Sequence, residues 1–310
     1  MVIIGSRASA LALWQSEHIA SRLRQLNPAI TVEIIKIKTT GDIILDSPLS
    51  KIGDKGLFTK ELEHALLKGE IDLAVHSLKD VPTQLNPGLI LGAVTEREDI
   101  RDVFIAHPKK QYSTFKDVPL GGKIATGSLR RKCQLLHHRP DLTIIDIRGN
   151  LKTRFEKLEQ SDWDGMLLAK AGVTRLGLSN VISEIFPTDI ILPAVGQGAL
   201  GVEIRDTDNE LLQIISALNH TETRQATNGE RALLRHLEGG CQIPIGTYGR
   251  IEQGRFLLNA MVGSLDGKRI VNGSISGKPE ESEKLGTALA EELMSRGAKE
   301  ILEEIRKNTT

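Results

Sequence analysis

Aromatic side chains make up only 3% of the 310 residues. So few rings argue against the stacking platforms that hold single-stranded nucleic acid. Net charge is missing too. Forty basic and forty acidic residues cancel, so no overall field draws polyanions and any cationic site must be local. Cysteine occurs twice, at Cys133 and Cys241. The pair forms neither a CxxC nor a metal-ligand spacing, and no metal is expected. No apolar run approaches a membrane span, and Val2-Ile3-Ile4 is too short for a signal-peptide core. The expectation is a reduced, cytoplasmic protein with no membrane or nucleic-acid partner. What is present, 40% hydrophobic and 26% charged residues, suits a globular chain of two or three domains.

The rest of the chain is organised around residues 71–83. Ile71, Leu73 and Val75 alternate with Asp72 and Ala74, which predicts a strand ending at Val75. His76, Ser77, Lys79 and Asp80 then crowd polar groups into a turn that Pro82 closes. A strand that delivers polar side chains into a turn is where an open α/β sheet keeps its ligand chemistry. The same residues also fit a capped turn with a solvated Lys79–Asp80 pair.

Before this stretch, residues 2–4 predict a strand and Ser9 caps a helix to about Leu26. Arg7 and Ser9 thus lie at a strand-to-helix junction, where free N–H groups favour an anion. An ordinary cap beside a surface arginine is the plainer alternative. A strand over 31–38 follows. Residues 39–56 carry Gly41, Pro48, Gly53 and Gly56 and read as a long loop, either a lid or plainly solvated. A helix over 57–68 ends at Gly69, and 88–94 is a strand. The charged run 97–102 reads as a crossover into a second domain or as a solvated face, leading to a strand over 103–106.

The next module repeats this rhythm. Strands over 123–125, 142–147 and 165–169 are each followed by a turn or helix rich in anion-binding groups. After the first come Thr126, Gly127, Ser128, Arg130 and Arg131. After the second come Arg148, Gly149 and Arg154. After the third comes a short helix through Arg175. Guanidinium groups bind carboxylate or phosphate in bidentate fashion. One such arginine would be surface; five at the same topological position point to an anionic ligand.

Residues 190–202 are apolar and glycine-rich without a GxGxxG-to-helix fingerprint, which suits close packing at an interdomain hinge. Helices over 210–218 and 221–237 follow. Cys241 comes after two glycines, so its thiol is an accessible nucleophile, an attachment point or an inert loop group. Cys133 lies in a helix beside Leu135 and Leu136 and reads as core. Strands over 243–251, 256–264 and 269–276, turned at Asp266-Gly267, precede a helix over 280–296 capped by Gly297. These form a small α+β third domain.

Five segments now combine: Val75-His76-Ser77-Leu78-Lys79-Asp80-Val81-Pro82, Gly127-Ser128-Leu129-Arg130-Arg131, Arg148-Gly149-Asn150, Pro193-Ala194-Val195-Gly196-Gln197-Gly198-Ala199 and Glu238-Gly239-Gly240-Cys241-Gln242-Ile243-Pro244. In order and at matching spacing they resemble the porphobilinogen deaminase, or hydroxymethylbilane synthase, family. The resemblance runs from Val2 to the C-terminal helix. It departs at Asp54, usually glycine, at Ala8 and Ala10, usually glutamine and proline, and at Ile100, usually proline.

The resemblance implies two doubly wound α/β domains like those of periplasmic binding proteins, facing across a cleft, and an α+β C-terminal domain. Domain 1 is residues 1–97 with 197–217, domain 2 is 98–196 and domain 3 is 218–310. The implied activity is a transferase reaction of tetrapyrrole (haem) biosynthesis. Four porphobilinogen molecules join, with loss of ammonia, into linear hydroxymethylbilane on a dipyrromethane cofactor held by a thioether at Cys241. Each ring carries an acetate and a propionate. The implied carboxylate-binding set is Arg7, Ser9, Ser77, Lys79, Thr126, Ser128, Arg130, Arg131, Arg148, Gly149, Arg154, Arg175, Gln197 and Gly198. Asp80 matches the catalytic carboxylate, which stabilises the cationic azafulvene left by ammonia and helps move protons. Lys51, Lys55 and Phe58 match a lid. The implied partner is porphobilinogen alone, with a monomeric protein. Two other classes fit part of the pattern. An anionic-solute-binding protein would share cleft and arginines but needs no accessible cysteine. A phosphate-transferring enzyme would need a GxxxxGK[ST] loop, which is absent.

Overall fold

The computed structural model describes residues 1–43, 56–238 and 243–307. They fall into two compact units, residues 1–43, 56–98 and 196–224 in one, and 99–195, 225–238 and 243–307 in the other.

The first unit is built on β1 (Val2–Arg7), α1 (Ala10–Leu26), β2 (Val32–Ile37), α2 (Thr40–Ile43), α3 (Lys60–Leu67), β3 (Leu73–Ser77) and β4 (Leu89–Val94). A later strand, Leu200–Arg205 (β10), completes a five-stranded sheet in the order β2-β1-β3-β10-β4. β1 runs parallel to β2 and β3, while β10 is antiparallel to both its neighbours. Ile19, Ala20 and Leu23 recur on one face of α1 and pack with Val75, Val202 and Ile204. Leu62, Ala65 and Leu66 of α3 cover the opposite face with Ile71, Ala74 and Leu89. A sheet covered on both faces is the doubly wound arrangement.

β3 does not stop at Val75 as the alternation predicts. It runs on to Ser77, because β10 pairs Leu200 with Ser77 and Gly201 with His76. That pairing comes from residues more than a hundred positions later, which local reading cannot see. The turn after it is a 3-10 segment, Leu78–Asp80. β10 itself begins inside the stretch read only as a glycine-rich hinge.

The second unit repeats the plan with β5 (Asp102–Ala106), β6 (Lys123–Ala125), α4 (Leu129–His138), β7 (Thr143–Ile145), α5 (Leu151–Gln160), β8 (Gly165–Ala169), α6 (Lys170–Arg175) and β9 (Glu184–Ile185). The order is β7-β6-β8-β5-β9, with β6, β7 and β8 parallel and β5 antiparallel to its neighbours. In each sheet an antiparallel strand that begins just after the chain has changed units lies between three parallel strands and an edge strand. The chain then adds α7 (Asn209–Ser216) to the first unit and runs on through α8 (Thr221–His236).

Within the second unit, β11 (Ile245–Glu252), β12 (Arg255–Gly263) and β13 (Ile270–Gly277) form a separate antiparallel sheet. α9 (Ser282–Leu293) and α10 (Lys299–Lys307) pack on it through Leu289, Leu293, Ile301 and Ile305, against Phe256 and Leu258. Gly297 ends the helical run that begins with α9, as expected, but a further helix follows. The Gly297 φ of 108° turns the chain, and α10 follows because Ile301, Leu302 and Ile305 offer a second apolar stripe.

α8 and α9 meet at two glycines. A Cβ on Gly286 would sit 2.1 Å from the carbonyl oxygen of Gly229. Backbone cannot yield as a flexible side chain can, so Gly286→Ala is expected to lower stability by about 1–3 kcal/mol. A drop in the urea midpoint at unchanged slope measures it.

Candidate active site

In the first unit, the parallel strands β1 and β3 end side by side and release their polar residues at one edge. Ser9 caps α1 by accepting the Ala12 N–H at 3.3 Å. The Arg7 guanidinium lies 4.3 Å from the Phe58 ring centroid, a cation–π contact. Ser77 accepts a hydrogen bond from Gln15 Nε2 at 2.8 Å. Arg7, Ser9, Gln15, Phe58, His76, Ser77 and Asp80 line one small cavity of about 60 Å3. The half-buried Asp80 carboxylate makes no hydrogen bond or ion pair with any described residue. Lys79 shares its 3-10 turn but does not line the cavity. Gln197 and Gly198 lie elsewhere. Their carbonyls accept from Arg97 Nε at 2.7 Å and the Glu98 N–H at 3.2 Å, tying the returning chain to the departing one.

In the second unit the adjacent parallel strands β7, β6 and β8 deliver their turns to one edge of the sheet. Ser128 caps α4 by accepting the Arg131 N–H, and Thr126 Oγ1 accepts the Ser128 N–H at 3.2 Å. Gly149 holds φ at +115°, where a Cβ would press on Thr153, and its carbonyl accepts from Arg154 Nε at 2.8 Å. Arg175 is buried at the end of α6.

Arg130 and Arg131 converge on Asp102, the first residue of β5. Arg130 Nη1 reaches Asp102 Oδ2 and Arg131 Nη2 reaches Oδ1, both at 2.7 Å. Asp102 is 0% exposed. The reading of its charged run as a solvated face is therefore wrong at this residue. Burial would push the carboxyl up, but the two guanidinium groups overcome that and hold it well below the usual carboxylate range. The last residues of the run serve structure as well. Asp99 is clasped by Arg101 and by Lys170 Nζ at 2.7 Å.

Two guanidinium groups face one carboxylate, so the cluster carries surplus positive charge. Nε of Arg130, Nε of Arg131 and Nη1 of Arg148 are sealed from solvent without a hydrogen-bond partner. Burial lowers the Arg148 pKa from the guanidinium value, with Asp146 opposing. Unused buried donors of one sign are what a carboxylate ligand requires. Of the expected residues, Lys51, Lys55 and Cys241 lie outside the described residues, as does Asp54.

Comparison with known proteins bears on this arrangement. Residues 2–213 match the family model described as "Porphobilinogen deaminase, dipyromethane cofactor binding domain", and residues 225–295 match "Porphobilinogen deaminase, C-terminal domain". The chain belongs to the porphobilinogen deaminase family. A porphobilinogen deaminase from Chlorobium phaeobacteroides (strain BS1) is 54% identical over 310 residues, covering 99% of this chain and 98% of the relative. Those from Chloroherpeton thalassium and Carboxydothermus hydrogenoformans are 55% and 53% identical, covering 98% and 99% of this chain and 98% of each relative. A solved arginine-specific periplasmic binding protein of Salmonella typhimurium overlays at a TM-score of 0.39 and 15% identity, over 73% of this chain and 92% of that one. The doubly wound description rests on the strand orders instead.

Sequence reading of this deaminase chain missed Gln15 and Asp102. Gln15 is a polar residue on the buried face of α1, 2% exposed. Asp102 carried one usable signal, an acid that ends its charged run immediately before an apolar strand.

Asp102→Asn leaves two buried guanidinium groups without their counter-ion, which is expected to cost about 3–5 kcal/mol. Asp102 has a depressed folded-state pKa. Its stabilisation is present above the unfolded value, about 3.9, and is lost as pH falls toward the folded value. Urea unfolding between pH 7 and pH 3 is expected to show the variant weaker at pH 7 and less sensitive to acid than the parent.

Proposed function

We propose that this chain performs the family's reaction, joining four porphobilinogen molecules with loss of ammonia into linear hydroxymethylbilane. The observation that carries the reading is the unpaired Asp80 carboxylate in a cavity shared with Arg7, in a chain matched by the family's models over most of its length. A binding protein without catalysis is not favoured, since relatives at 53–55% identity over nearly the whole chain carry the deaminase name.

The chemistry follows from charge. Loss of ammonia turns porphobilinogen into a cationic azafulvene. Asp80, uncompensated by any described residue, meets that charge as it develops and accepts the pyrrole N–H. Arginine is the fitting partner for the acetates and propionates, because its fork binds a carboxylate in two places. The second unit's surplus charge at Arg130 and Arg131 and the buried, unused Nη1 donor of Arg148 suit the carboxylates of dipyrromethane. Ser128, Thr126, Gly149, Arg154 and Arg175 complete that set. Arg7, Ser9, Ser77, Lys79, Gln197 and Gly198 serve from the first unit. Dipyrromethane, when bound, supplies the ring to which the first substrate is joined. Cys241 is its attachment point, and Lys51, Lys55 and Phe58 belong to a lid. The three-domain division at 1–97 with 197–217, 98–196 and 218–310 belongs to the same reading, as does a cytoplasmic monomer.

Cys133 is the wrong thiol for attachment. It is 0% exposed, and burial pushes its pKa up to about 12, so the nucleophilic thiolate is scarce. Intact-mass measurement is expected to find two pyrrole units on the parent and on Cys133→Ser, and none on Cys241→Ser. An adduct on Cys133 would overturn the assignment.

Asp80→Asn keeps shape and removes charge. A capping role would survive the change. Loss of a preorganised electrostatic partner costs roughly 100- to 1,000-fold in rate. Turnover of a folded Asp80→Asn protein, checked by circular dichroism, is expected to fall by that factor; near-normal turnover would remove Asp80 from the chemistry.

A further inference from the structure

Behind the Asp80 cavity lies a buried group of three titratable side chains from three elements. His76 is the last residue but one of β3, Glu203 is on β10 and Glu63 is on α3; they are 5%, 0% and 3% exposed. Glu203 faces Ala74 across the β3–β10 pair, which puts it diagonally next to His76 on the same side of the sheet. His76 Nε2 and Glu203 Oε2 are 3.0 Å apart. The second oxygen of Glu203 and one oxygen of Glu63 are sealed without a partner, while Asn86 donates to the other Glu63 oxygen. Burial pushes the Glu63 carboxyl up; the nearby Thr59 hydroxyl opposes this, Glu203 adds to it, and His76 and Asn86 oppose it.

The imidazole is asymmetric in its surroundings. Nε2 is committed to a buried carboxylate, which can only accept, so Nε2 carries the proton. Nδ1 has no hydrogen-bond partner, yet it is not among the unpartnered polar atoms that the structure seals off. His76 lines the cavity with Asp80 and Arg7, and Nδ1 is its unused nitrogen there.

The coupling step has a proton to place. The C–N bond of the aminomethyl group breaks, and ammonia leaves with the electron pair. A C–C bond forms at the free α-carbon of the preceding pyrrole. That carbon's C–H bond then breaks, its electrons restore the ring, and its proton must go to a base. A second base in the same cavity would leave the Asp80 charge in place throughout the step.

We propose that His76 is the proton acceptor of the coupling step, with Nε2 anchored on Glu203 and Nδ1 open to the cavity it shares with Asp80. Glu203 stabilises the imidazolium that results, as a carboxylate does for any histidine base it orients. The charged or titratable groups around the ring are Glu63 from α3, Glu203 from β10, Asp80 from the 3-10 turn and Arg7 from β1.

The inference rests on the deaminase reading, and the two fail separately. A parent protein that releases no ammonia from porphobilinogen fails the reading. An active parent with an indifferent His76→Gln variant fails only this inference. In folded His76→Gln protein that carries its two pyrrole units by mass, kcat is expected to fall roughly 100-fold or more, with KM little changed and the acidic limb of the kcat profile lost. A kcat near the parent's with that limb intact overturns the proposal. Glu203→Gln is expected to move the limb to lower pH, because the imidazolium loses its carboxylate; an unmoved limb also overturns it. If either variant fails to fold, 15N NMR of histidine-labelled parent protein at pH 8 decides. The expected His76 signal has the proton on Nε2 and a bare Nδ1; a protonated Nδ1 is the contrary result.

Discussion

A carboxylate without water must be matched by positive charge, and in the second unit Asp102 is matched twice. β5 begins at Asp102, and the first turn of α4 brings Arg130 and Arg131 onto its two oxygens. Neither guanidinium could be buried without the acid, and the acid could not be buried without at least one of them. The second is in excess. A chain with no net charge thereby acquires a fixed cationic edge where three parallel strands end.

The two units apply one topology to opposite charges. Each releases polar and charged residues at the carboxyl ends of parallel strands, where an open α/β sheet leaves a crevice. In the first unit that edge holds an acid, Asp80, unpaired among the described residues, with one stacked arginine. In the second it holds guanidinium groups with donors to spare.

How much of this was open to sequence reading differs by element. β6 and β8 begin and end where they were expected, over 123–125 and 165–169, and Ser9 caps the helix it precedes. Local signals suffice there. They fail where a distant partner decides. β3 gains two residues from β10, and that gain carries His76 into the sheet, where Glu203 holds it. Asp102 looked solvated because charge runs usually are, and only the return of α4 over β5 buries it. Gly297 does end a helix, but the apolar stripe beyond it starts another. The motif positions Arg7, Ser77 and Asp80 were legible and share one cavity. Gln15, which steadies Ser77, was not, because a glutamine on an apolar helix face has no pattern of its own.

The return of β10 also sets an order on synthesis. β3 and β4 are not paired to each other; both pair to β10, which occupies residues 200–205. A ribosome making this chain must produce the whole of residues 99–195 before the strand that joins them exists. Until then two apolar strands have open edges, the kind that recruit strands from neighbouring chains. The second unit's sheet is spared this wait. Its antiparallel strand, β5, is made first and is ready when β8 arrives. The unit that begins the chain is thus not the first whose sheet can close, and the nascent protein matures from its middle outward.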